Sequence, residues 1–168
     1  MKYGVSEAML VSDTDLAYAA GFFDGEGHIS IAFSTSKKCR GYSYDRYTLI
    51  VSMSQMDRRP LDYISSKFGG NVRHLVAKRS YDKGKYSRYD WSLACNNAVS
   101  FLKKIRPWLH VKIEQADIAI EFQATMDKRR KPTPPHVVEL RKELAESLKK
   151  VRSITSSSGG QAIAQRFN

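Results

Sequence analysis

The sequence predicts an α+β domain in which helices cover one face of a four-stranded antiparallel sheet. Three observations predict it. Four short segments alternate apolar and polar residues, the period of a strand. They come in two pairs, each preceded by a segment with helix start and stop signals. In these strands the side away from the apolar residues carries Ser, Thr, Arg and Lys, so that face of the sheet is left open.

Residues 1–12 carry no strong pattern and read as an N-terminal arm. The first helix spans about residues 13 to 25. Ser12 or Asp13 is placed to cap it, and Asp15, three residues after Ser12, makes a capping-box pattern. Ala17, Gly21 and Gly25 recur every four residues and share one face, against which another backbone can come close. The helix ends in two acids, Asp24 and Glu26, set among glycines. Negative charge there opposes the macrodipole, so a positive partner is expected. A divalent metal, ligated by a carboxylate and exposed backbone carbonyls, is a natural candidate.

His28 to Ser34 alternates, with Ile29, Ile31 and Phe33 on one face and His28, Ser30, Ala32 and Ser34 on the other. A loop rich in Ser, Lys, Arg and Gly, Thr35 to Tyr44, leads to a second strand, Tyr47 to Ser54. There Leu49, Val51 and Met53 turn inward, and Arg46, Thr48, Ile50 and Ser52 outward. Residues 57–68 form an amphipathic helix with Asp57 as cap, Pro60 in the first turn, and Leu61, Ile64 and Phe68 on its apolar side. Gly69-Gly70 closes it. Asn71 to Arg79 and Tyr86 to Ala94 are two more strands around the loop Ser80 to Lys85. In the fourth strand Tyr89, Trp91 and Leu93 alternate with Arg88, Asp90 and Ser92. In the third, Val72, His74 and Val76 oppose Arg73, Leu75 and Ala77, and Arg73 is taken as outward. Helices from about Asn96 to Ile105 and about Lys112 to Asp127 complete a core of residues 13–127.

Residues 128–136 are a basic, Pro-rich linker. Val137, Leu140, Leu144, Leu148 and Val151, spaced 3, 4, 4 and 3, predict a C-terminal helix over 137–152. Its Arg141, Lys142, Lys149 and Lys150 either reach a nucleic-acid backbone or simply solvate a bracing helix. Residues 153–168 are Ser/Gly-rich and read as a disordered tail.

A chain of 168 residues allows one domain with a real core. Its net charge of +11, with 42% hydrophobic and 11% aromatic residues, excludes a disordered basic tail. Nucleic acid is the first partner to consider and an anionic membrane surface the second. No apolar run approaches the roughly 18 residues of a membrane span, and no signal-peptide pattern opens the chain. Cys39 and Cys95 lack zinc-spaced partners and read as free thiols of a reducing, intracellular compartment. A β-ribbon fits the major groove, where side chains meet base edges. On the open face Ser30, Ser34, Arg46, Thr48, Ser52, Arg73, Arg88 and Asp90 are therefore candidates to read bases. Lys37, Lys38, Arg40, Lys83 and Lys85, in the loops, would extend the contact or meet phosphates.

Ala19-Ala20-Gly21-Phe22-Phe23-Asp24-Gly25-Glu26-Gly27 resembles the nine-residue signature of the LAGLIDADG homing endonucleases, with Ala for the first Leu and Glu26 for the second acid. The element order over residues 13–127 is similar as well. The resemblance implies an αββαββα fold with a saddle-shaped sheet, and it adds site residues. Gln55, at the end of the second strand, would help position solvent. Arg59 (or Arg58), opening the next helix, would lie near the cleaved phosphate. Lys112, shortly after Pro107-Trp108-Leu109 and followed by Gln115, would complete a basic pocket. Glu26 and the Gly25 carbonyl would hold the metal, with Mg2+ expected, Mn2+ an acceptable substitute, and Ca2+ supporting binding without turnover. Asp24 would cap a facing helix.

One signature supplies one acid, and cutting both strands needs two. The expectation is a homodimer packed through Ala17, Gly21, Asp24 and Gly25, acting on a long, roughly palindromic duplex. By resemblance the cut leaves short 3′ overhangs. Two other readings stay open: a DNA-binding regulator or intron RNA-splicing maturase on the same fold, whose partner would include its own intron RNA, and a basic RNA- or ribosome-binding module. Both predict no metal-dependent DNA cleavage.

Overall fold

The computed structural model describes residues 11–35, 45–78, 85–126 and 133–164. Along them run helix α1 (Asp13–Glu26), strands β1 (Gly27–Thr35) and β2 (Asp45–Gln55), helix α2 (Arg58–Phe68), strands β3 (Asn71–Lys78) and β4 (Lys85–Ala94), then helices α3 (Cys95–Ile105), α4 (Ile113–Ala124) and α5 (Pro135–Ala164). A single 3₁₀ turn, Arg106–Trp108, joins α3 to the chain leading into α4. The strands form one antiparallel sheet in the order β1-β2-β4-β3. This is the predicted α+β, αββαββα layout.

Period-two alternation decides which side of the sheet is covered. Ile29, Ile31, Leu49, Val51, Met53, Trp91 and Leu93 are buried beneath the helices. Phe101 of α3 meets Phe23, Phe68 and Trp91 edge-on, at centroid distances of 5.1–5.4 Å. Such pairs add roughly 0.5–1.5 kcal/mol each beyond the area they bury. Phe33 departs from the expected pattern. It continues the inward alternation of Ile29 and Ile31, yet it is 55% exposed, with its ring 5.0 Å from that of Tyr47.

Two glycine positions are fixed by geometry. Gly69 and Gly70 have φ of +76° and +91°, the left-handed region that ends α2 and starts β3. The Gly69 carbonyl accepts the Trp91 indole N–H at 2.8 Å. Gly27 is required for close approach: a Cβ there would stand 2.3 Å from the Phe23 carbonyl oxygen. That contact lets α1 turn directly into β1, which sets Glu26 at the edge of the sheet.

The C-terminal helix differs from expectation at both ends. Pro135 occupies its first turn, a position where no N–H is needed. It then continues through the stretch beyond 152 that composition marks as disordered, ending at Ala164. Once a helix is nucleated, each further residue adds a hydrogen bond cheaply, and no proline interrupts this one. Buried Leu144, Ala145 and Leu148 dock it, and Arg141 donates to the Thr125 carbonyl at 2.6 Å. Among the described residues no helix is long and apolar enough to cross a membrane.

Candidate active site and nucleic-acid interface

Ser12 caps α1 with its side chain, and Asp15 returns the bond in the capping box. Asp15 is itself buried, where Lys67 (3.1 Å) and the Tyr63 hydroxyl reach it from α2. The Tyr63 hydrogen bond, then those of Ser12 and Lys67, hold its carboxyl well below the usual range against the opposing effect of desolvation. This network anchors the far end of the signature helix. Along its exposed side run Ala17, Gly21 and Gly25, and a Cβ at either glycine would meet nothing within 4 Å.

At the C-terminal end of α1 the two acids part. The Asp24 carboxylate accepts the backbone N–H groups of His110 (2.7 Å), Val111 (3.2 Å) and Lys112 (3.0 Å). Asp24 thus caps the approach to α4 within its own chain. Both of its carboxylate oxygens are engaged within the chain. The Lys112 ammonium donates to the Asp24 carbonyl. Glu26 stays exposed. Desolvation pulls Lys112 below the ordinary lysine value, while Asp24 and Glu26 draw it back up. A carboxylate and a half-buried ammonium are therefore brought together by one acid acting as a backbone clamp. His28, the next residue but one, is pushed below its ordinary value by desolvation and then by Arg152 and Lys112. Arg152 reaches this corner from α5, donating to the Ile29 carbonyl at 3.4 Å. Sequence patterning gave no hint of that contact.

The donor set suits a hard divalent cation. Glu26 offers one free-standing carboxylate, and the last carbonyls of α1, Gly25 among them, lie where a helix leaves acceptors without intrahelical donors. Magnesium is typically held by one or two carboxylates, with phosphate and water completing the shell. No group of three or more His, Cys, Asp or Glu converges among the described residues. An ion here would draw its remaining ligands from a phosphate substrate and water.

The other expected site residues fall as follows. Gln55 is half-buried at the end of β2, two residues beyond Met53, which pairs with Gly27, so it stands at the sheet end where β1 begins. Gln115 is buried on α4. The Arg59 side chain is 90% exposed and folds back onto Asp57, with Nε–Oδ2 at 2.9 Å. Asp57 is drawn down to about 2 by that bond and by the Arg59 N–H that it caps. The alternative, Arg58, pairs with Asp62 at 3.0 Å and lies over the Tyr89 ring.

Ser30, Ser34, Arg46, Thr48, Ser52, Arg73, Arg88 and Asp90 all alternate away from the buried residues and share the open sheet face. Strand register sets Ser34 opposite Arg46, Ser52 opposite Ser92, and Arg73 opposite Asp90. Asp90 lies beside Arg88, whose Nε sits 3.0 Å from its Oδ1. Lys37, Lys38, Arg40 and Lys83 lie outside the described residues, as does Cys39; of Lys85 only the backbone, at the start of β4, is described. Cys95 is a free thiol.

Known structures carry the same architecture. The fold matches the homing endonuclease I-CvuI in complex with DNA (TM-score 0.65, 20% identity, 82% of each chain covered). It also matches the archaeal intron-encoded homing endonuclease I-Vdi141I complexed with DNA, with TM-score 0.63, 19% identity, and 83% of this chain and 84% of that one covered. A third match is the homing endonuclease I-TnaI, with TM-score 0.54, 20% identity, and coverage of 83% and 97%. At such identities these likenesses establish the fold. Among curated protein sequences none matches significantly. The family model described as LAGLIDADG endonuclease matches residues 19–115, more than half of the chain, beginning inside the signature helix and ending at Gln115. The chain belongs to the LAGLIDADG endonuclease family.

Proposed function

We propose that the protein is a site-specific homing endonuclease that hydrolyses both strands of a long, pseudo-palindromic DNA duplex as a homodimer. What supports this is the end of α1: an exposed Glu26 beside a half-buried Lys112, at the edge of an open sheet face. Structural neighbours with this architecture, I-CvuI and I-Vdi141I, are DNA complexes, and I-CvuI was crystallised with magnesium and with calcium. Magnesium is the ion proposed here, manganese a substitute, and calcium an ion for binding without turnover.

The chemistry needs an in-line water, neutralised phosphate charge and a stabilised 3′ leaving oxygen. A bound divalent ion supplies phosphate neutralisation and a more acidic water. Glu26 would hold that ion with the Gly25 carbonyl. Asp24 fixes the backbone at His110–Lys112, so Lys112 is oriented before substrate arrives. Its ammonium would polarise solvent or meet the developing charge, and the Gln55 amide would order solvent at the same sheet end. Arg59 would have to leave Asp57 to reach a phosphate, which makes it a residue recruited by substrate. Each copy contributes one Glu26, so two strands require two copies, meeting along Ala17, Gly21 and Gly25. The cut would leave short 3′ overhangs.

The test is selection of cleaved sites from a randomised duplex library, in magnesium and in calcium. Cleavage only in magnesium, at a long pseudo-palindrome, is the expected result. Binding in both ions with no cutting would favour the regulator or splicing maturase. Glu26→Gln should lower cleavage by at least about 10³-fold, the scale of several kcal/mol of lost charge stabilisation, while duplex binding in calcium stays near that of the wild type. Lost binding with an intact fold would contradict the role.

A further inference from the structure

Helix α2 opens on a small knot of charge. Met53 pairs with Gly27, the residue after Glu26. Asp57 follows Met53 by four residues, a reach of at most about 14 Å of extended chain. The start of α2 therefore lies at the same end of the sheet as Glu26. Asp57 caps the helix, its Oδ1 accepting the Arg59 backbone N–H at 2.9 Å. The same carboxylate accepts the Arg59 side chain: Nε stands 3.1 Å from Oδ1 and 2.9 Å from Oδ2, and Nη2 also donates to Oδ2. One carboxylate thus holds one arginine twice, by its backbone and by its guanidinium. Nothing buries the pair. The Arg59 side chain is 90% exposed and that of Asp57 45%, so an arriving anion can reach it.

We infer that Asp57 is a positioning residue that latches Arg59 away from phosphate until the duplex is seated, which weakens the protein's grip on non-target DNA. The inference rests on the endonuclease reading above, in which Arg59 serves a phosphate near the cut. With a net charge of +11 the chain is drawn to any duplex. Specificity is a difference of affinities, and it grows when contacts to the wrong sequence are withheld. A carboxylate offers a guanidinium the same paired acceptors as a phosphate. Asp57 is thus a resident competitor: a phosphate passing at variable distance does not displace it, and one held at this end of the sheet does. An exposed pair of this kind is weakly held, so the exchange costs little once the target is docked. The cap makes the exchange reversible. When Arg59 swings out, Asp57 keeps the Arg59 backbone N–H, and the arginine has a fixed place to return to.

The experiment measures binding in calcium, across a range of salt concentrations, to two duplexes: the one recovered from the randomised library and a scrambled duplex of equal length and composition. Asp57→Ser and Asp57→Asn each keep a capping side chain and remove the charge, with thermal unfolding as a control. Either variant should bind the scrambled duplex about two- to fivefold more tightly than the wild type, the scale of an exposed ion pair. The salt dependence on that duplex should steepen by about one phosphate contact, while that on the recovered duplex stays put. A weakened cap would produce neither change. Arg59→Gln should lose about one phosphate contact on the recovered duplex and none on the scrambled one, which tests the latch without touching the cap. Adding Asp57→Ser to Arg59→Gln should then change nothing further on the scrambled duplex. An equal gain in that background would make Asp57 a simple repelling charge. No gain with Arg59 present would leave the pair a helix cap alone. Either overturns the inference while leaving the endonuclease standing. A wild type that selects no duplex at all would overturn both.

Discussion

Asp24 and Glu26 are two residues apart and chemically alike, yet they do different work because their surroundings differ. Asp24 meets three backbone N–H groups from residues 86 to 88 positions later in the chain and becomes a structural clamp. Glu26 stays exposed, with Lys112 near enough to feel its charge. The signature pattern revealed that both acids matter, and local spacing contains no trace of the partners that separate them. Asp15 presents the same situation at the helix's other end. Its capping-box role is legible from Ser12, three residues away, but Tyr63 is 48 positions distant and arrives only through the packing of α2. Asp15 also carries a pH signature. Its folded-state carboxyl is depressed, so its stabilisation is fully present above the unfolded value near 3.8 and is lost as pH falls below it. Asp15→Asn should therefore lower the thermal midpoint at pH 7, and the difference from wild type should shrink as unfolding is followed from pH 4 downward. A constant difference across that range would show that the carboxylate charge is not what stabilises.

Among the elements, strands were the more legible. Ile29/Ile31 and Leu49/Val51/Met53 alternate strictly because one sheet face is dry and the other wet, and that physical asymmetry writes itself into the sequence. Phe33 obeys the same alternation and is exposed, because periodicity reports the direction of a side chain and not whether anything lies above it. For α5 the stripe Val137, Leu140, Leu144, Leu148 was visible, but only its middle is buried: Leu140 is 37% exposed and Leu148 1%. Leu148→Ala should cost roughly 2–5 kcal/mol if the helix is part of the core, read as a fall of several degrees in thermal midpoint. An unmoved midpoint would make α5 an appendage. Arg152 could not be singled out beforehand, since its role depends on where α5 crosses β1.

At the level of the whole molecule, the open sheet face and the small-residue face of α1 are two exposed surfaces among the described residues. Both were anticipated from residue type alone, Ser/Thr/Arg on one and Ala17/Gly21/Gly25 on the other. On the proposed reading their occupants are DNA and a second copy. The space around Gly21 makes the dimer test clean: no atom within 4 Å opposes a side chain there in the monomer. Gly21→Leu should sediment as a folded monomer and lose double-strand cleavage. A persistent dimer would move the interface elsewhere.

β1 is an edge strand, and edge strands invite pairing with foreign chains. Here the guard is α5, which packs along β1 and, through Arg152, takes up the Ile29 carbonyl from 123 residues downstream. During synthesis the strand leaves the ribosome long before its guard does. At elongation rates of about 5–20 residues per second, β1 waits on the order of ten seconds with one flank bare. A nascent-chain complex stalled before α5 should therefore be the species most prone to aggregate or to recruit a chaperone.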